Sequence, residues 1–506
     1  MVSVTDLINH LLIGFQSALT LANVGYCFLG VLIGTLVGVL PGLGPVATLA
    51  LLLPLTYALD PTAAVIMLAG IYYGSQYGGS TTAILMNIPG EAASLVTCID
   101  GHQLARKGRA GSALGVAALA SFAAGCVATL LIAMASPVLS EVALYFGAAE
   151  YFSLMVLGLV GAVALSNGDI LKAIAMVITG LLLGLVGTDI NTGELRFTLD
   201  TLTLQDGIDF AVISMGFYGV AEIVKNLQVM VASPSYHTIP ISSPWPDKKD
   251  LTESAGAMAR GTVLGSLLGL LPGGGAMLSS FAAYTVEKRI KKDNEPKVGE
   301  GNIRAVAGPE AANNAGAQTS FIPMLTLGIP SNAVMALLMG ALIIQNITPG
   351  PQVMHTNPEL FWGLIVSMWI GNLFLVVLNL PLAGLWVQML KIPYRLLYPA
   401  IIAVCAIGVY SINYNVYDIV LMSAFAILGY VFYQLRCEPA PLILGFVLGP
   451  MMEENLRRAM LLSRGDPSVF LTSPISAVLL AIACILLLVT VLPQWQKTRQ
   501  TVFNED

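Results

Sequence analysis

The sequence predicts an all-α polytopic membrane protein with two inverted repeats, each containing a re-entrant hairpin and a discontinuous helix, plus additional transmembrane helices. Three observations predict this class. The chain of 506 residues is 56% apolar and only 10% charged, whereas soluble proteins carry about a quarter charged residues. Apolar runs long enough to cross a bilayer recur along the chain. One helix-breaking phrase occurs twice, once near the N-terminus and once near the middle.

The apolar runs are continuous and do not alternate apolar with polar residues, which excludes an outer-membrane β-barrel. Their bounds are 112–136, 151–166, 170–187, 360–386, 396–410, 417–433 and 475–493. No basic stretch precedes the first apolar residues, so a cleaved signal peptide is not expected. We predict three parts: residues 1–230 as the first repeat with connecting transmembrane helices, 231–390 as the second, inverted repeat, and 391–506 as C-terminal transmembrane helices.

The repeated phrase reads GTLVGVLPGLGP at 34–45 and GSLLGLLPGGGA at 265–276. Gly and Pro cost a helix about 1 and 3 kcal/mol relative to Ala. Their freed backbone groups are tolerated at membrane depth only inside protein or a water-filled cavity. Each copy therefore predicts a re-entrant hairpin. A second pair of segments, YGGSTTAILMNIPGEAA and GAQTSFIPMLTLGIPSNAV, predicts a broken helix after each hairpin, because both reach an Ile-Pro step.

Basic residues orient the two copies, because they are retained on the cytoplasmic side of membranes. Basic clusters lie at 106–109, 248–249 and 288–297, whereas segments 189–198 and 346–360 are nearly free of basic residues. The second hairpin lies between two basic clusters and should open to the cytoplasm. The first hairpin is followed by one broken helix, and that helix leads to the basic loop at 106–109. The first hairpin should therefore open to the outside. The two units are therefore predicted to run in opposite senses.

Inverted repeats with broken helices recur in secondary transporters, whose ligands bind at mid-membrane between the repeats. Helix N-termini favour anions, and unwound carbonyls can hold a cation. Neither motif contains Arg or Lys, so an anion should depend on helix ends, amides and hydroxyls. Close helix packing is the alternative role for such small polar residues. The predicted substrate- and ion-binding residues are Pro41, Gly42, Gly44, Gly79, Ser80, Thr81, Thr82, Asn87, Gly273, Gly274, Gly275, Asn313, Asn314, Thr319, Ser320, Ser331 and Asn332.

Two acids beside the breaks, Glu91 and Glu310, are candidates for coupling to a proton or cation, because ionisable groups within membranes are commonly functional. The alternative is that each is an ordinary first-turn acid favoured by the helix dipole. Na⁺ and H⁺ both stay open as the coupling ion, and no other cofactor is expected. Glu222 and Lys225 are predicted to form a pair at the membrane interface. The dispersed His and Cys residues predict no metal site.

Two other functional classes compete with a transporter. An intramembrane enzyme would need a catalytic set at membrane depth, and the sequence places Asp100, Asp169, Asp189 and Asp209 at loops or span ends, so we predict that the protein is not an enzyme. An anion-conducting channel is the closer alternative, since re-entrant loops also form the selectivity filters of channels. Two hairpins of opposite sense in one chain favour alternating access over a channel.

The motifs together resemble one family, the large membrane subunit (TctA-like) of tripartite tricarboxylate transporters. They include YYGSQYGGSTTAILMNIPGEAAS, GTDINTGELRFT, GLLPGGGAMLSSFAAYTVEKR, GPEAANNAGAQTSFIPMLTLGIPS and LGFVLGPMMEENLRRAMLLSRGD. The resemblance implies a multi-pass carrier in the bacterial inner membrane that imports a citrate-like tri- or dicarboxylate with a cation. It implies two partners, a small membrane subunit (TctB-like) and a periplasmic solute-binding protein (TctC-like), and no nucleic acid.

The segment from Pro439 to Met460 is predicted to be a further broken element outside the repeats. Its charged residues have the spacing of neighbours on one helix face. They are Glu453, Glu454, Arg457 and Arg458. We interpret this face as a surface or subunit-contact helix, and a solvated loop helix is the alternative.

Overall fold

The computed structural model describes residues 4–40, 43–166, 169–189, 192–231, 245–271, 275–290, 295–389 and 394–491. Among these residues the chain is almost entirely helical, which confirms the all-α prediction. The helices of the N-terminal half are α1 Val4–Ala18, α2 Leu21–Gly38, α3 Pro45–Leu52, α4 Pro61–Met86, α5 Leu95–Leu104, α6 Ala110–Ala143, α7 Ala148–Leu165, α8 Ile170–Gly184, α9 Phe210–Ser214 and α10 Ala221–Val231.

The second half is also helical. Its helices are α11 Lys248–Leu268, α12 Gly275–Arg289, α13 Arg304–Thr319, α14 Phe321–Leu327, α15 Ala333–Ile344, α16 Val353–Thr356, α17 Pro358–Asn379, α18 Ala383–Met389, α19 Tyr394–Asn413, α20 Val416–Gln434, α21 Pro439–Leu462, α22 Val469–Thr472 and α23 Pro474–Val491. A single antiparallel strand pair is described, β1 Gly187–Thr188 with β2 Leu195–Arg196.

Several helical stretches are long and apolar enough to cross a membrane, which confirms a polytopic membrane protein. Within the described ranges there are five such stretches: Leu21–Gly38, Ala92–Ala143, Pro358–Asn379, Val416–Gln434 and Pro474–Val491. Shorter apolar helices, including α3, α8 and α15, accompany them. Short helices of this kind are expected where a span is interrupted at mid-membrane.

Both copies of the repeated phrase form a helix, a break and a second helix. In the first copy α2 ends at Gly38 and α3 begins at Pro45. In the second, α11 ends at Leu268 and α12 begins at Gly275. The predicted site residues Pro41, Gly42, Gly273 and Gly274, together with Pro272, lie outside the described residues. The helices that flank each break are described, so the position of each hairpin is still defined.

The first helix of each hairpin packs backbone to backbone against the broken helix that follows it. A Cβ atom on Gly34 would stand 2.3 Å from the carbonyl oxygen of Ile71 in α4, and one on Gly265 would stand 2.4 Å from that of Ala312 in α13. Neither position accepts a side chain without movement of the neighbouring helix. The glycines that make this contact are Gly30, Gly34 and Gly38 in α2, Gly261 and Gly265 in α11, and Gly269 directly after α11. The same seam of glycines, with the same spacing, is therefore built twice.

The breaks in the second helices also correspond. α4 ends at Asn87, whose φ is 58°, and α14 ends at Gly328, whose φ is 68°. Both residues adopt the left-handed conformation that ends many helices. The breaks therefore lie just before the two Ile-Pro steps. Ser80, Thr81 and Thr82, three of the predicted binding residues, lie inside α4 and before the break.

The same is true of α13, because Asn313, Asn314 and Thr319 lie within that helix. Polar residues at consecutive positions do not by themselves break a helix, since their side chains can bond to its own carbonyls. The repetition of contacts supports two homologous units. Their opposite sense across the membrane, and the predicted bounds of the three parts, stay predictions.

The helices separate into two groups by their packing. The repeat group contains α1–α6 and α11–α17, with α13 and α17 packed on α6 and α4. The second group contains α7–α10 and α19–α23, in which α21 packs on α7 and α8 while α20 packs beside α9 and α10. The groups meet where α3 approaches the 215–220 turn between α9 and α10, and where α15 contacts α21. This junction holds the cavity described below.

The predicted break after Pro439 is not observed, because α21 continues from Pro439 to Leu462 through Pro450. Its charged face packs on the strand pair. Arg457 bonds the Asp189 carboxylate at 2.8 Å, and Arg196 bonds Glu453 at 2.8 Å. The hydrogen bond that Arg196 donates to the Glu453 carboxylate raises the pKa of the Arg196 guanidinium above its ordinary value. Glu453 and Arg457 are thus paired within the chain, whereas Glu454 and Arg458 are exposed, and the subunit-contact and solvated-helix interpretations both stay open.

The described residues at and beside the three predicted cytoplasmic segments contact one another. Arg109 forms an ion pair with Asp250, and the Lys107 ammonium donates to the carbonyl of Glu300. Asp100, which was predicted at a loop or span end, lies inside α5 and is fully buried. Its carboxylate accepts hydrogen bonds from the Tyr284 hydroxyl and from backbone N–H groups of residues 299–302. These contacts join the two repeat units on one side.

Candidate functional site

A cavity of about 560 Å³ lies between the two groups of helices. The repeat group lines one side with Gly44, Gly275 and residues 89–93 and 332–334. The second group lines the other side with residues from α10 and α20 and from the start of α21. Gly44 and Gly275, each just after one of the two breaks, therefore line the same cavity. The second wall of the cavity was not predicted.

Each hairpin meets the break of its own repeat unit at the cavity wall. A Cβ on Gly44 would lie 3.6 Å from the Gly90 carbonyl oxygen and 3.9 Å from Cβ of Glu91. A Cβ on Gly275, whose φ is +47°, would lie 2.9 Å from Nδ2 of Asn332. The close approach to Asn332 and the left-handed backbone both favour glycine at position 275.

Three helices begin at this wall. Gly44 and Pro45 open α3, Gly275 opens α12 and Asn332 caps α15 by accepting from the Met335 N–H at 3.0 Å. Helix N-termini carry free N–H donors and a partial positive charge, and together these attract anions. The arrangement can receive a carboxylate group, which was the role predicted for the hairpin tips.

Glu91 links the cavity wall to the second repeat. Its side chain accepts a hydrogen bond of 2.9 Å from Nδ2 of Asn313. The Glu91 backbone N–H donates to the Ser94 hydroxyl at 3.3 Å, which starts the short helical turn at 92–94. Glu91 is therefore the N-cap of that turn, not a first-turn acid as in the alternative given above, and it also lines the cavity. Its coupling role stays a prediction.

Glu310 lies deeper, at the contact between α13, α4, α5 and α6. Its carboxylate accepts hydrogen bonds from the Ser80 hydroxyl at 2.9 Å and the Thr97 hydroxyl at 2.6 Å. The Ser121 hydroxyl lies 3.5 Å from the same carboxylate and accepts from the Asn314 amide at 2.6 Å. All five side chains are buried. A buried acid without a basic partner needs such donors, and it can also exchange a proton or bind a cation.

Each of the remaining predicted residues either makes a packing contact or has a hydroxyl that bonds to a carbonyl of its own helix. The hydroxyls of Thr81, Thr82 and Thr319 each donate to a carbonyl one turn earlier in their own helix. Those three hydroxyls therefore stabilise helices rather than face the cavity.

Two of the remaining contacts hold the breaks closed. Gly79 packs on Gly90 so tightly that a Cβ on Gly90 would stand 2.2 Å from the Gly79 Cα. In the second unit the Ser331 hydroxyl donates to the carbonyl of Ser320 at 3.4 Å. These are corresponding pairs in the two repeat units. Asn87 is exposed and does not line the cavity.

Lys225 is the principal residue that the sequence reasoning missed. The predicted pairing with Glu222 is present, with Lys225 Nζ 3.8 Å from the Glu222 carboxylate. However, both residues line the cavity, and Nζ also lies 4.9 Å from the centre of the Tyr433 ring. The ring face attracts the cation and helps to hold it in place. An anion in this cavity would therefore meet a side-chain positive charge as well as helix ends.

Two polar atoms at the cavity have no partner among the described residues. They are Oε1 of Gln76 and the hydroxyl of Tyr218, both on buried side chains. Buried polar atoms are normally hydrogen-bonded, so these two are available to a ligand or to water.

A signal for Lys225 was present in the sequence, because a Lys and an acid interrupt the apolar segment GFYGVAEIVKNL. Charged residues within such segments favour a functional position. Thr97 and Ser121 carried no comparable signal, since isolated hydroxyl residues are common in packed helices.

Comparisons with known proteins identify one family pattern and two relatives. The pattern of the family described as "Tripartite tricarboxylate transporter TctA family" matches residues 24–444. The chain is 57% identical over 501 residues, 99% of both chains, to the Agrobacterium vitis protein named "Uncharacterized 52.8 kDa protein in TAR-I ttuC' 3'region". It is 60% identical over 242 residues to another protein of that organism, "Uncharacterized protein in TAR-II ttuC' 3'region", covering 48% of this chain and 100% of the relative. No solved structure gives a significant match.

Proposed function

The chain belongs to the tripartite tricarboxylate transporter TctA family, and from this premise we propose that it is the membrane carrier through which a tri- or dicarboxylate such as citrate is imported with Na⁺ or H⁺. Membership of this family means that the chain is a component of a tripartite transporter. The substrate, the coupling ion and the inner-membrane location are proposals.

One observation carries the proposal: the cavity between the two groups of helices combines several anion-binding elements. Helices α3, α12 and α15 begin at one wall, and Lys225 lies on the other. A carboxylate at this position would receive N–H donors from one side and an ammonium group from the other. Alternating access follows if the two walls separate and close while the substrate remains between them.

The cavity also contains acids, which gives a physical reason for cation coupling. Glu91, Glu222 and Glu438 line it together with Lys225. A polycarboxylate would add further negative charge to this lining, and like charges at short range oppose binding. A proton or Na⁺ taken up with the substrate offsets this repulsion. Glu91 and Glu310 are the proposed sites of that uptake, as the sequence predicted.

The predicted partners follow from the family, in which this chain is the large subunit of a three-part system. We propose a small membrane subunit and a periplasmic solute-binding protein that delivers the substrate.

The test is uptake of labelled citrate and a panel of dicarboxylates into vesicles that contain the membrane subunits. The binding protein is added or omitted, and a Na⁺ or H⁺ gradient is imposed. We expect saturable uptake that requires the binding protein and one of the gradients. Flux that never saturates and does not depend on a gradient would favour the channel alternative and overturn the carrier.

A further inference from the structure

The lining of the cavity contains more acids than bases. Within the described part of the chain Lys225 is its one basic residue, whereas Glu91, Glu222 and Glu438 are its acids. Glu222 and Lys225 are three positions apart on α10, a spacing that places two side chains next to each other on a helix. The proposed function uses Lys225 to bind a substrate carboxylate, and it leaves open what happens to Glu222 when this occurs.

The contact between Glu222 and Lys225 is loose. Lys225 Nζ lies 3.8 Å from the Glu222 carboxylate, which is beyond the usual range of an N–H···O hydrogen bond. The Glu222 carboxylate accepts no hydrogen bond among the described residues, so the Lys225 ammonium is the positive charge that stabilises it. Both side chains are partly exposed. A ligand in the cavity can therefore reach either of them.

The Lys225 ammonium is also held from a second direction. Nζ lies 4.9 Å from the centre of the Tyr433 ring on α20, and the face of an aromatic ring attracts a cation. This contact does not depend on Glu222. The ammonium can therefore stay in place while another anion takes the position of the Glu222 carboxylate.

We propose that a substrate carboxylate replaces Glu222 as the partner of Lys225, and that Glu222 then takes up one proton from water. The proton binds to a carboxylate oxygen of Glu222, and the Lys225 ammonium keeps its own protons, so one positive charge enters with the substrate. A carboxylate that loses its cationic partner and faces a second negative charge favours its protonated form. The inference rests on the proposed function, because it requires a carboxylate in the cavity. It adds Glu222 to the acids proposed for coupling.

Other titratable groups face Glu222 in the cavity, and none of them is a base that could replace Lys225. Electrostatic contacts join Tyr218, on the 215–220 turn, to both Glu222 and Glu438. Helix α19, which also packs on α10, adds no titratable residue to the lining within the described ranges. The titratable groups around Glu222 and Lys225 are Tyr218, Tyr433, Cys437 and Glu438 on the same wall, with Tyr72 and Glu91 across the cavity.

The test measures binding of labelled citrate and labelled succinate to the purified full-length protein in lipid nanodiscs, at several pH values and constant Na⁺. Protons taken up on binding are measured in weakly buffered solution. The variants are Glu222→Gln, Lys225→Met and the two combined, and Glu222→Asp retains an acid. Glu253→Gln is the matched control, since Glu253 forms a similar pair, 3.7 Å from Lys249 and outside the cavity.

We expect Glu222→Gln to bind the carboxylates about threefold more tightly at neutral pH, because a partly exposed competing ion pair has been removed. The same change made in Lys225→Met should have no effect, since the competition needs both residues. A proton that enters with the carboxylate makes wild-type affinity fall as pH rises, and proton uptake should drop about twofold or more in Glu222→Gln. Glu222→Asp and Glu253→Gln should retain the uptake.

The outcomes separate this exchange from a positioning role. Equal or weaker binding by Glu222→Gln would show that Glu222 does not compete with the substrate, and it would overturn the exchange. Absence of proton uptake by the wild type, which needs no variant to fold, would overturn it as well. A wild type that binds neither carboxylate would refute both the exchange and the proposed function. Exchange without gradient-driven uptake in vesicles would support the exchange and refute the carrier alone.

Discussion

Glu310 is a buried acid held by hydroxyl groups from three other helices, Ser80 in α4, Thr97 in α5 and Ser121 in α6. No basic side chain bonds to its carboxylate among the described residues. Such a group can change its charge without breaking an ion pair, which suits a step that takes up a proton or cation.

We therefore predict that Glu310→Gln reduces gradient-driven uptake at least about tenfold, a loss of about 1.4 kcal/mol in the coupled step. Glutamine keeps the shape and still accepts a hydrogen bond, but it cannot carry the charge. Exchange of labelled for unlabelled substrate, which needs no net coupling, should persist. Glu141→Gln, an exposed acid near the end of α6, is the control. Wild-type accumulation by Glu310→Gln would refute the coupling role.

Lys225 provides the second prediction at this scale. Lys225→Met should raise the KM for a carboxylate about tenfold or more, because a charge-assisted contact is typically worth about 1.5–3 kcal/mol. Methionine retains much of the apolar stem, so folding should be little affected. The control is Lys249→Met, whose lysine is exposed and pairs only with Glu253 among the described residues. Equal KM values for Lys225→Met and the control would remove Lys225 from the binding site.

The candidate residues were predictable to the extent that their local sequence was unusual. Gly44, Gly275 and Asn332 lie beside Pro- or Gly-rich breaks, and the structure places all three at the cavity. Thr81, Thr82 and Thr319 lie in the same motifs but bond to their own helices. Which face of a helix a hydroxyl occupies depends on packing against distant helices, and the local sequence does not report it.

At the level of helices, the glycine seams between α2 and α4 and between α11 and α13 bring backbones into direct contact. Glycine is unfavourable within a helix, so its repeated use there shows that close packing outweighs helix propensity. Each seam fixes a hairpin against the broken helix that lines the cavity with it.

We predict that Gly34→Ala and Gly265→Ala each lower stability by about 1–3 kcal/mol, because the added methyl would overlap a carbonyl of the neighbouring helix. Gly25 in α2 has nothing within 4 Å of an added Cβ, so Gly25→Ala should instead gain up to about 1 kcal/mol from helix propensity. The Tm of each purified variant in detergent measures the difference. Similar Tm values for Gly25→Ala and Gly34→Ala would show that the seam does not constrain the helices.

The hairpins and the Ile-Pro breaks could be predicted because Pro and Gly act locally on the backbone. The continuity of α21 through Pro450 could not, because a helix can pass a proline when its neighbours hold it. Here α21 packs along α7 and α8. A Cβ on Gly180 of α8 would stand only 2.0 Å from the Leu442 carbonyl oxygen. Contacts of this kind join segments far apart in sequence, so no local sequence pattern predicts them.

For the whole molecule, the proposal that the substrate binds in the cavity predicts that both groups of helices contact it. Cys437 offers a natural probe, since it lines the cavity from the second group. In a variant that retains Cys437 alone, we expect the substrate to slow modification by a maleimide several-fold. A variant that retains Cys484 alone is the control, because that residue is exposed on α23 and outside the cavity. Unchanged modification of Cys437 would place the substrate elsewhere.

The distribution of basic residues in the sequence predicts where loops face. Thr192→Cys, beside the strand pair, should react with a membrane-impermeant reagent in intact cells. Lys297→Cys, near the loop bound by Asp100, should react only after permeabilisation. Both positions are exposed. Labelling of both from the same side would contradict the charge-based orientation and with it the inverted repeat.

The two walls of the cavity have different histories if the repeats arose by duplication. The wall that carries Gly44, Glu91, Gly275 and Asn332 is built from the duplicated units, and its glycine seams restrict substitution. The wall that carries Lys225 belongs to helices outside the repeats. Mutations in α10, α20 or the start of α21 can change the charge that meets the substrate without disturbing either seam. Relatives that transport different acids should therefore diverge first along this unduplicated wall.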